Sequence, residues 1–357
     1  LVVSCFFVFL SINHQPSTIL KYTAAFILPL LTIVSFLSEG LATFSPLIFA
    51  FVCVPIIDQI LGENKYNLSS GEIEKARASK FFDLMLYGAV ISHLGLFVWF
   101  VFFLNFWNAD KLTIAGHITS MGLMCGVFGI NVAHELGHRT DRFNQFLAKV
   151  MLTTSLYNHF FIEHNRGHHR NVGTHEDAAT ARKGEMLYVF WIRAVIMGWI
   201  SAWEIVSKER RRKNLSVFSL GNEMLLLQLA QVIMILTIGF FMGWWIALNV
   251  CIAAVIGIIL LETVDYIEHY GLERKRINEH RYEDVTPIHS WNADFVLGRL
   301  VLFELTRHSD HHTTPSKHYQ LLDSKEEAST LPAGYPAMML LAMIPPAWFS
   351  VMNKRIH

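Results

Sequence analysis

The chain has 357 residues, of which 53% are hydrophobic and only 16% charged, with Lys+Arg and Asp+Glu equal at 29 each. A soluble domain carries roughly a quarter charged residues, so this composition leans toward the bilayer, while net neutrality without a basic, aromatic-interleaved tract speaks against nucleic acid as a partner. Cys5, Cys53, Cys125 and Cys251 are far apart in apolar runs and form no CxxC pair, which excludes a zinc knuckle or an iron–sulfur site and leaves them a packing role.

Residues 1–12 are apolar but short and carry no assignment; the first residue is Leu, so a targeting signal is not readable. A transmembrane helix takes about 20 mostly apolar residues, and spans are predicted near 22–38, 42–57, 84–107 and 113–133. From Met224 to Leu261 no residue is charged, a stretch too long for one span and punctuated at Gly239, Gly243, Trp244 and Trp245. It reads as two spans, 224–242 and 244–261, joined by a tight hairpin. The connections between paired spans are short and hold one basic residue, Lys111, whereas Lys65, Lys75, Arg77 and Lys80 and the region from Arg139 to Lys213 are basic. By the positive-inside rule the basic side is cytoplasmic.

The fold expected is therefore all-α: a polytopic membrane protein in one domain, with six transmembrane helices and a cytoplasmic histidine-rich cap built from 134–222 and 265–357. Within the cap, 185–206 and 334–352 read as amphipathic helices lying in the interface. Pro332, Pro336, Pro345 and Pro346 argue against a regular span in the second.

Nine histidines stand just outside the membrane-length stretches at metal-ligand spacing: His134 and His138; His164, His168 and His169; His269; and His308, His311 and His312. Residues four apart on a helix face the same way, close enough to share an ion, while an adjacent doublet diverges and serves two. Nine imidazoles exceed the four ligands of zinc or the six of an octahedral ion, so two metals are implied. His134-Glu135-x-x-His138 also fits the zinc-protease helix, but such a site needs one further ligand and leaves the other groups unexplained. His14, His93, His117, His159, His280, His318 and His357 are isolated and read as structural, and a structural or ligand-orienting role is favoured for His175 and His289. Glu135, Glu163, Asp177, Asp265, Glu268 and Asp310 are interleaved with the groups; carboxylates there orient ligating imidazoles through the distal N–H, with a surface role as the alternative for Asp177 and direct ligation open for all. The basic run Lys208–Lys213 reads first as a topological anchor and second as a docking patch for an acidic electron carrier.

The segments Asn131–Arg139, Phe161–Arg170, Asp265–Leu272 and Arg307–His312 together resemble the motifs of bacterial alkane 1-monooxygenases, within the membrane diiron desaturases and hydroxylases. The likeness extends to Pro55–Asp58 with Gly62-Glu63, to His289–Asn292 and to Leu331–Pro336, and so covers nearly the whole chain from the first span. The Tyr266-Ile-Glu-His-Tyr-Gly271 box is its most specific piece. Departures are Asp265 in place of the usual Asn, Ile288 where many members carry His, and the segment Gly173–Glu176. They leave room for another apolar substrate, such as an alkyl-aromatic methyl group or a terpene, and a desaturase is the nearest different chemistry.

The resemblance implies two iron ions on the nine histidines, O2-dependent hydroxylation of a terminal methyl, and a place in the bacterial inner membrane with the site on the cytoplasmic side. It implies rubredoxin as electron donor, fed by an NADH-dependent reductase, and the sequence itself has no Gly-rich dinucleotide fingerprint or CxxC pair with which to carry electrons alone. An alkane offers nothing to hydrogen-bond, so only shape and burial, roughly 0.8 kcal/mol per CH2, can hold it in an apolar tunnel that ends at the metals. Ala50, two-thirds along the second span, is a candidate for its wall.

Overall fold

The computed structural model describes residues 19–106, 109–279 and 281–356. His14, His280, His357, Cys5 and the apolar stretch 1–12 lie outside the described residues. Helices dominate the remainder, and the strands form two short pairs.

In chain order the main helices are α1 (Lys21–Phe36), α2 (Gly40–Leu61), α3 (Phe81–Phe106), α4 (Lys111–Gly137), α5 (Arg142–Thr154), α6 (residues 159–171), α7 (Leu187–Arg212), α8 (Glu223–Met242) and α9 (Trp244–His269). Four short helices follow: α10 (Val296–Val301), α11 (His308–Thr313), α12 (Tyr335–Ala342) and α13 (Pro345–Met352). Six of these are long and apolar enough to cross a membrane, namely α2, α3, α4, α7, α8 and α9. The chain is a multi-pass membrane protein.

This set of six differs from the sequence reading at two places. The helix predicted near 22–38 is α1, which falls short of membrane length, and α7, read as interfacial, qualifies by length and composition. Its contacts show how α7 runs. Trp191 near its start donates to Thr263 near the end of α9 (3.0 Å), and Trp199 donates to Gln228 near the start of α8 (3.1 Å). Arg166 then links Glu209 in its last turn to Glu223 at the start of α8. Because α8 and α9 form a hairpin about Gly243, the end of one and the start of the other lie at the same end of the bundle. Helix α7 is laid across that end, with Val189, Ile192 and Ile196 exposed as an apolar stripe suited to lipid.

The central helix is α4, 78% buried over its most apolar window against 22% for α2. Its closest partner is α9, and the approach depends on glycine. A Cβ at Gly257 would sit 2.6 Å from that of Cys125, and one at Gly122 would sit 2.6 Å from that of Ile256. Small residues let two helices in lipid pack backbone to backbone, and here they bring the ends of α4 and α9 together.

The C-terminal half is fastened to this bundle by buried polar contacts. Asp58, at the last turn of α2 and fully buried, accepts the backbone N–H groups of Leu297 (2.7 Å) and Gly298 (3.1 Å) at the start of α10. The chain then turns through Phe303 and Glu304, both with positive φ (52° and 61°). The strained turn is held by charge: Arg299 Nε lies 3.0 Å from Glu304, Arg307 Nε lies 3.2 Å from Asp294, and the Tyr22 hydroxyl donates to Glu304 (2.7 Å). Every charge in this cluster is paired, as a buried charge must be. Its product is the placement of α11, which starts one residue after Arg307.

Asp58→Ala should leave two buried N–H groups without an acceptor, at a cost of roughly 1–3 kcal/mol. A lower midpoint of thermal unfolding in detergent is the expected result, and an unchanged midpoint would show that α10 is held by packing alone.

Candidate metal centre

Four helices end or turn at one place. His134 lies in the last turn of α4 and His138 directly after it, α6 carries His164, His168 and His169, α9 ends on His269, and α11 carries His308, His311 and His312. After His269 the chain leaves the helix through Gly271, which has φ 69° and donates its N–H to Ala181 O at 2.8 Å. A side chain at Gly271 would also collide with Ile356, at 2.3 Å.

The nine imidazoles sort into two groups. His134, His138, His164, His169 and His311 form one, and His168, His269, His308 and His312 the other, with the facing atoms of each group within 4.8 Å of one another. In the first group Nε2–Nε2 distances include His134–His311 at 3.0 Å, His138–His164 at 3.1 Å and His164–His169 at 3.0 Å. In the second they include His168–His312 at 3.2 Å, His269–His308 at 3.1 Å and His308–His312 at 2.8 Å.

The partition departs in one respect from the four-apart rule. His134 and His138 share a group, as do His308 and His312, but His164 and His168 do not; His164 shares with His169, five residues on. The cause is local: residues 164–168 form a π-helical turn, in which the backbone bond spans five residues rather than four. One extra residue per turn moves His169 onto the face of His164 and turns His168 to the other group. The doublets 168–169 and 311–312 each divide between the groups, as adjacent helical positions should.

The donor set fits metal ions. Burial, reinforced by neighbouring imidazoles, holds His164, His169, His308, His311 and His312 far below the usual imidazole range, and burial with His168 pushes His138 down to about 3. Neutral rings present lone pairs, and nitrogens converging at about 3 Å cannot all be satisfied by one another. His168 is the exception. Burial lowers it, but the Asp177 carboxylate, accepting from Nδ1 at 2.9 Å, together with Glu163 and Glu262 raises it above the usual range. That bond leaves Nε2 facing the second group, the arrangement in which a carboxylate orients a ligating imidazole.

The other carboxylates divide by environment. Glu268 is 1% exposed with one oxygen 3.2 Å from His308 Nε2, so it stands at the second group itself. Glu135 instead pairs with Arg139 (2.8 Å) and receives the Tyr319 N–H, and Asp310 binds Lys317 (2.6 Å), Lys325 (3.1 Å) and the Asp323 N–H. Both tie loops to the centre. Asp177 is buried and not a surface acid. Glu163 and Asp265 face an internal cavity, in which His159, read from sequence as isolated, also lies. Among the remaining histidines, His93 bonds Thr154 (2.9 Å), His289 bonds Thr286 (3.0 Å), His318 meets Arg139 (2.5 Å), and His175 is exposed. Tyr157 and Glu262, hydrogen-bonded to each other across 105 positions, carried no sequence signal of their own.

An apolar cavity of ≈ 70 Å³ lies on the membrane side of the histidines. Ala50, Val127, Leu261 and Val264 line it, and it reaches Asn131 and Leu305, each three residues before a histidine of the centre. Among the described residues Asn131 is the only polar side chain in its wall, and its amide is committed to Leu302 O at 3.0 Å. π-Helical turns at Phe49–Cys53 and Cys125–Ile130 both contribute to this wall.

Fold and site together define a membrane enzyme of the histidine-cluster class, with a metal centre at one end of its helix bundle. A family model for fatty acid desaturases matches residues 112–342. Alkane 1-monooxygenase 1 of Alcanivorax borkumensis is 36% identical over 87% of this chain and 76% of its own length. Alkane 1-monooxygenase 2 of Pseudomonas aeruginosa is 36% identical over 86% of the chain and 82% of its own, and the xylene/toluene monooxygenase hydroxylase component of Pseudomonas putida is 28% identical over 69% and 65%. The chain belongs to the alkane 1-monooxygenases of the fatty acid desaturase family and is a monooxygenase.

His269→Ala removes one of four imidazoles from the second group and none from the first. Metal content of the purified variant should fall by close to one ion per chain while the protein still inserts, because little apolar burial is lost. Full metal content with near-normal turnover would remove His269 from the centre.

Proposed function

We propose that this chain hydroxylates the terminal methyl of alkanes with O2 at a centre of two iron ions, using electrons from rubredoxin and its NADH-dependent reductase. The observation that carries the reading is the pair of imidazole groups at the end of an apolar cavity. His134, His138, His164, His169 and His311 would hold one iron, and His168, His269, His308 and His312 the other, with Glu268 as an oxygen donor beside the second. Imidazole and carboxylate donors suit iron, and the ions supply the activation of O2.

The protein's own part is positional. The cavity wall excludes water and offers a hydrocarbon only dispersion and burial, so the chain can be held by shape alone and the methyl nearest Asn131 and Leu305 is the one presented to the centre. Among the described residues no cationic side chain lines the cavity to hold an acyl headgroup, which favours an alkane over a fatty acyl thioester. The relationship to the xylene/toluene enzyme makes an alkyl-aromatic methyl the second reading. A lone-zinc protease centre does not account for two groups of imidazoles.

The basic end of the molecule, which by the positive-inside rule would face the cytoplasm, is where the donor would dock. In the run 208–213, Arg210 is committed to Ser216 O (2.5 Å) and Ser219 Oγ (2.7 Å), whereas Arg211 and Arg212 are exposed and available to an acidic partner.

Metal analysis should give near two irons per chain, and incubation with octane, xylene or a fatty acyl thioester plus donor protein and O2 should give 1-octanol as the main product. About one zinc and no iron, or a desaturated acyl chain, would end the reading.

Substrate length is tested at the cavity. Ala50→Trp places an indole in a space of ≈ 70 Å³ and should shorten the longest alkane accepted without slowing short ones. An unaltered chain-length profile would move the substrate path elsewhere.

A further inference from the structure

Between α6, α7 and α9 lies a second, smaller cavity of ≈ 20 Å³, whose wall includes Tyr157, His159, Glu163, His164, Glu262 and Asp265. It is the size of one water molecule, which needs roughly 10–15 Å³ of such space. Two polar atoms on this wall lack any hydrogen-bond partner: Glu262 Oε2 and His159 Nε2, on residues 3% and 7% exposed. The other oxygen of Glu262 accepts the Tyr157 hydroxyl. Burial pushes His159 down to about 4, so its ring is neutral and its bare nitrogen needs a partner that can donate or accept. A carboxylate oxygen and an imidazole nitrogen buried bare are costly, and a water between them satisfies both.

The position of this cavity gives it a use. A polar cavity of ≈ 700 Å³, reaching the surface at the exposed Arg170 and Arg212, adjoins it and shares Ala178 in its wall. Between the two stands Glu163, with Oε1 3.5 Å from Ser201 Oγ on the outer side. On its inner side the small cavity is closed by His164, an imidazole of the first group. Monooxygenation of a methyl group by O2 breaks the O–O bond and one C–H bond, forms a C–O bond and retains an O–H. The second oxygen leaves as water only when two electrons and two protons reach it. The apolar cavity on the membrane side cannot bring protons in.

We propose that the small cavity holds a water molecule bound by Glu262 and His159, and that this water, with the Glu262–Tyr157 pair, relays protons from the outer cavity to the metal centre. Each proton passed inward is replaced from the outer cavity, so the Glu262 carboxyl is unchanged over a turnover, and the electrons arrive separately from the donor protein. The inference rests on the proposed O2-dependent, two-electron reaction.

Two measurements test it. A high-resolution map of the metal-loaded protein should show a density peak within hydrogen-bond distance of both Glu262 and His159; a dry cavity overturns the proposal. Glu262→Gln keeps the size of the side chain and an acceptor for Tyr157 but cannot carry the proton. At unchanged iron content its turnover should fall on the order of 10²-fold, with a larger solvent deuterium isotope effect and more O2 consumed per alkanol formed. Ala194→Val narrows the same cavity without touching an acid and should displace the water and shift turnover and coupling the same way. Wild-type turnover and coupling in Glu262→Gln overturn the relay, as does loss of iron in both variants, which would make the cavity wall a packing element. The relay is judged on variant-to-wild-type ratios, whereas wild-type protein without iron or without alkanol would refute the underlying reaction instead.

Discussion

Nine imidazoles buried nitrogen against nitrogen are the constraint on which this structure depends. Burial keeps most of these rings neutral, His168 with its Asp177 partner being the exception, and one N–H per neutral ring cannot satisfy all the nitrogens that converge at 2.8–3.2 Å. The arrangement is suited to holding cations, whose binding would add to the stability of the fold around them. This accounts for the rigid placement around the site: the glycine-mediated approach of α4 to α9 joins two helices that end in histidines, and the Asp58 anchor of α10 with the paired charges around Glu304 fixes the approach of the chain to α11.

Polar and apolar surroundings are kept apart on two sides of the centre. Toward the membrane the wall, among the described residues, is hydrocarbon from Ala50 to Leu305, interrupted only by an asparagine whose amide is already engaged. Toward α7 the wall includes three carboxylates, a phenol and two imidazoles around a space the size of one water. The proposed alkane substrate, without polar atoms, and the proposed reaction, which consumes protons, would need these two environments within a few side chains of each other. Helix α7 makes the division possible: lying across the end of the bundle, it turns an apolar stripe outward and closes the polar side from above with Ala194, Gly198 and Ser201.

Backbone irregularity is concentrated where the chemistry is. Three π-helical turns occur among the described residues; two border the apolar cavity and the third holds the central histidine group. Each shifts the face of its helix by about one residue, so side chains that a regular helix would separate are brought together. The positive-φ pair Phe303–Glu304 does the same for the approach to His308, with its strain opposed by buried charge pairs.

The sequence alone determined the all-helical membrane class, the cluster of nine histidines and the family, because apolar length and ligand spacing are local properties of the chain. The depth of Ala50 in its span could also be counted from Pro55 and Asp58, but that this face lines the apolar cavity is a matter of helix rotation. What the tertiary structure decided was everything that depends on rotation about a helix axis or on contacts between distant segments. It separated His164 from His168 through a π turn that no residue pattern announces, assigned Asp177 to His168 while committing Glu135 and Asp310 to lysine, arginine and loop backbone, and laid α7 across the bundle despite its membrane-like composition. It also joined Tyr157 to Glu262. Spacing along a chain tells which residues share a helix, but only the packed structure fixes the turn of that helix and the side chain it meets.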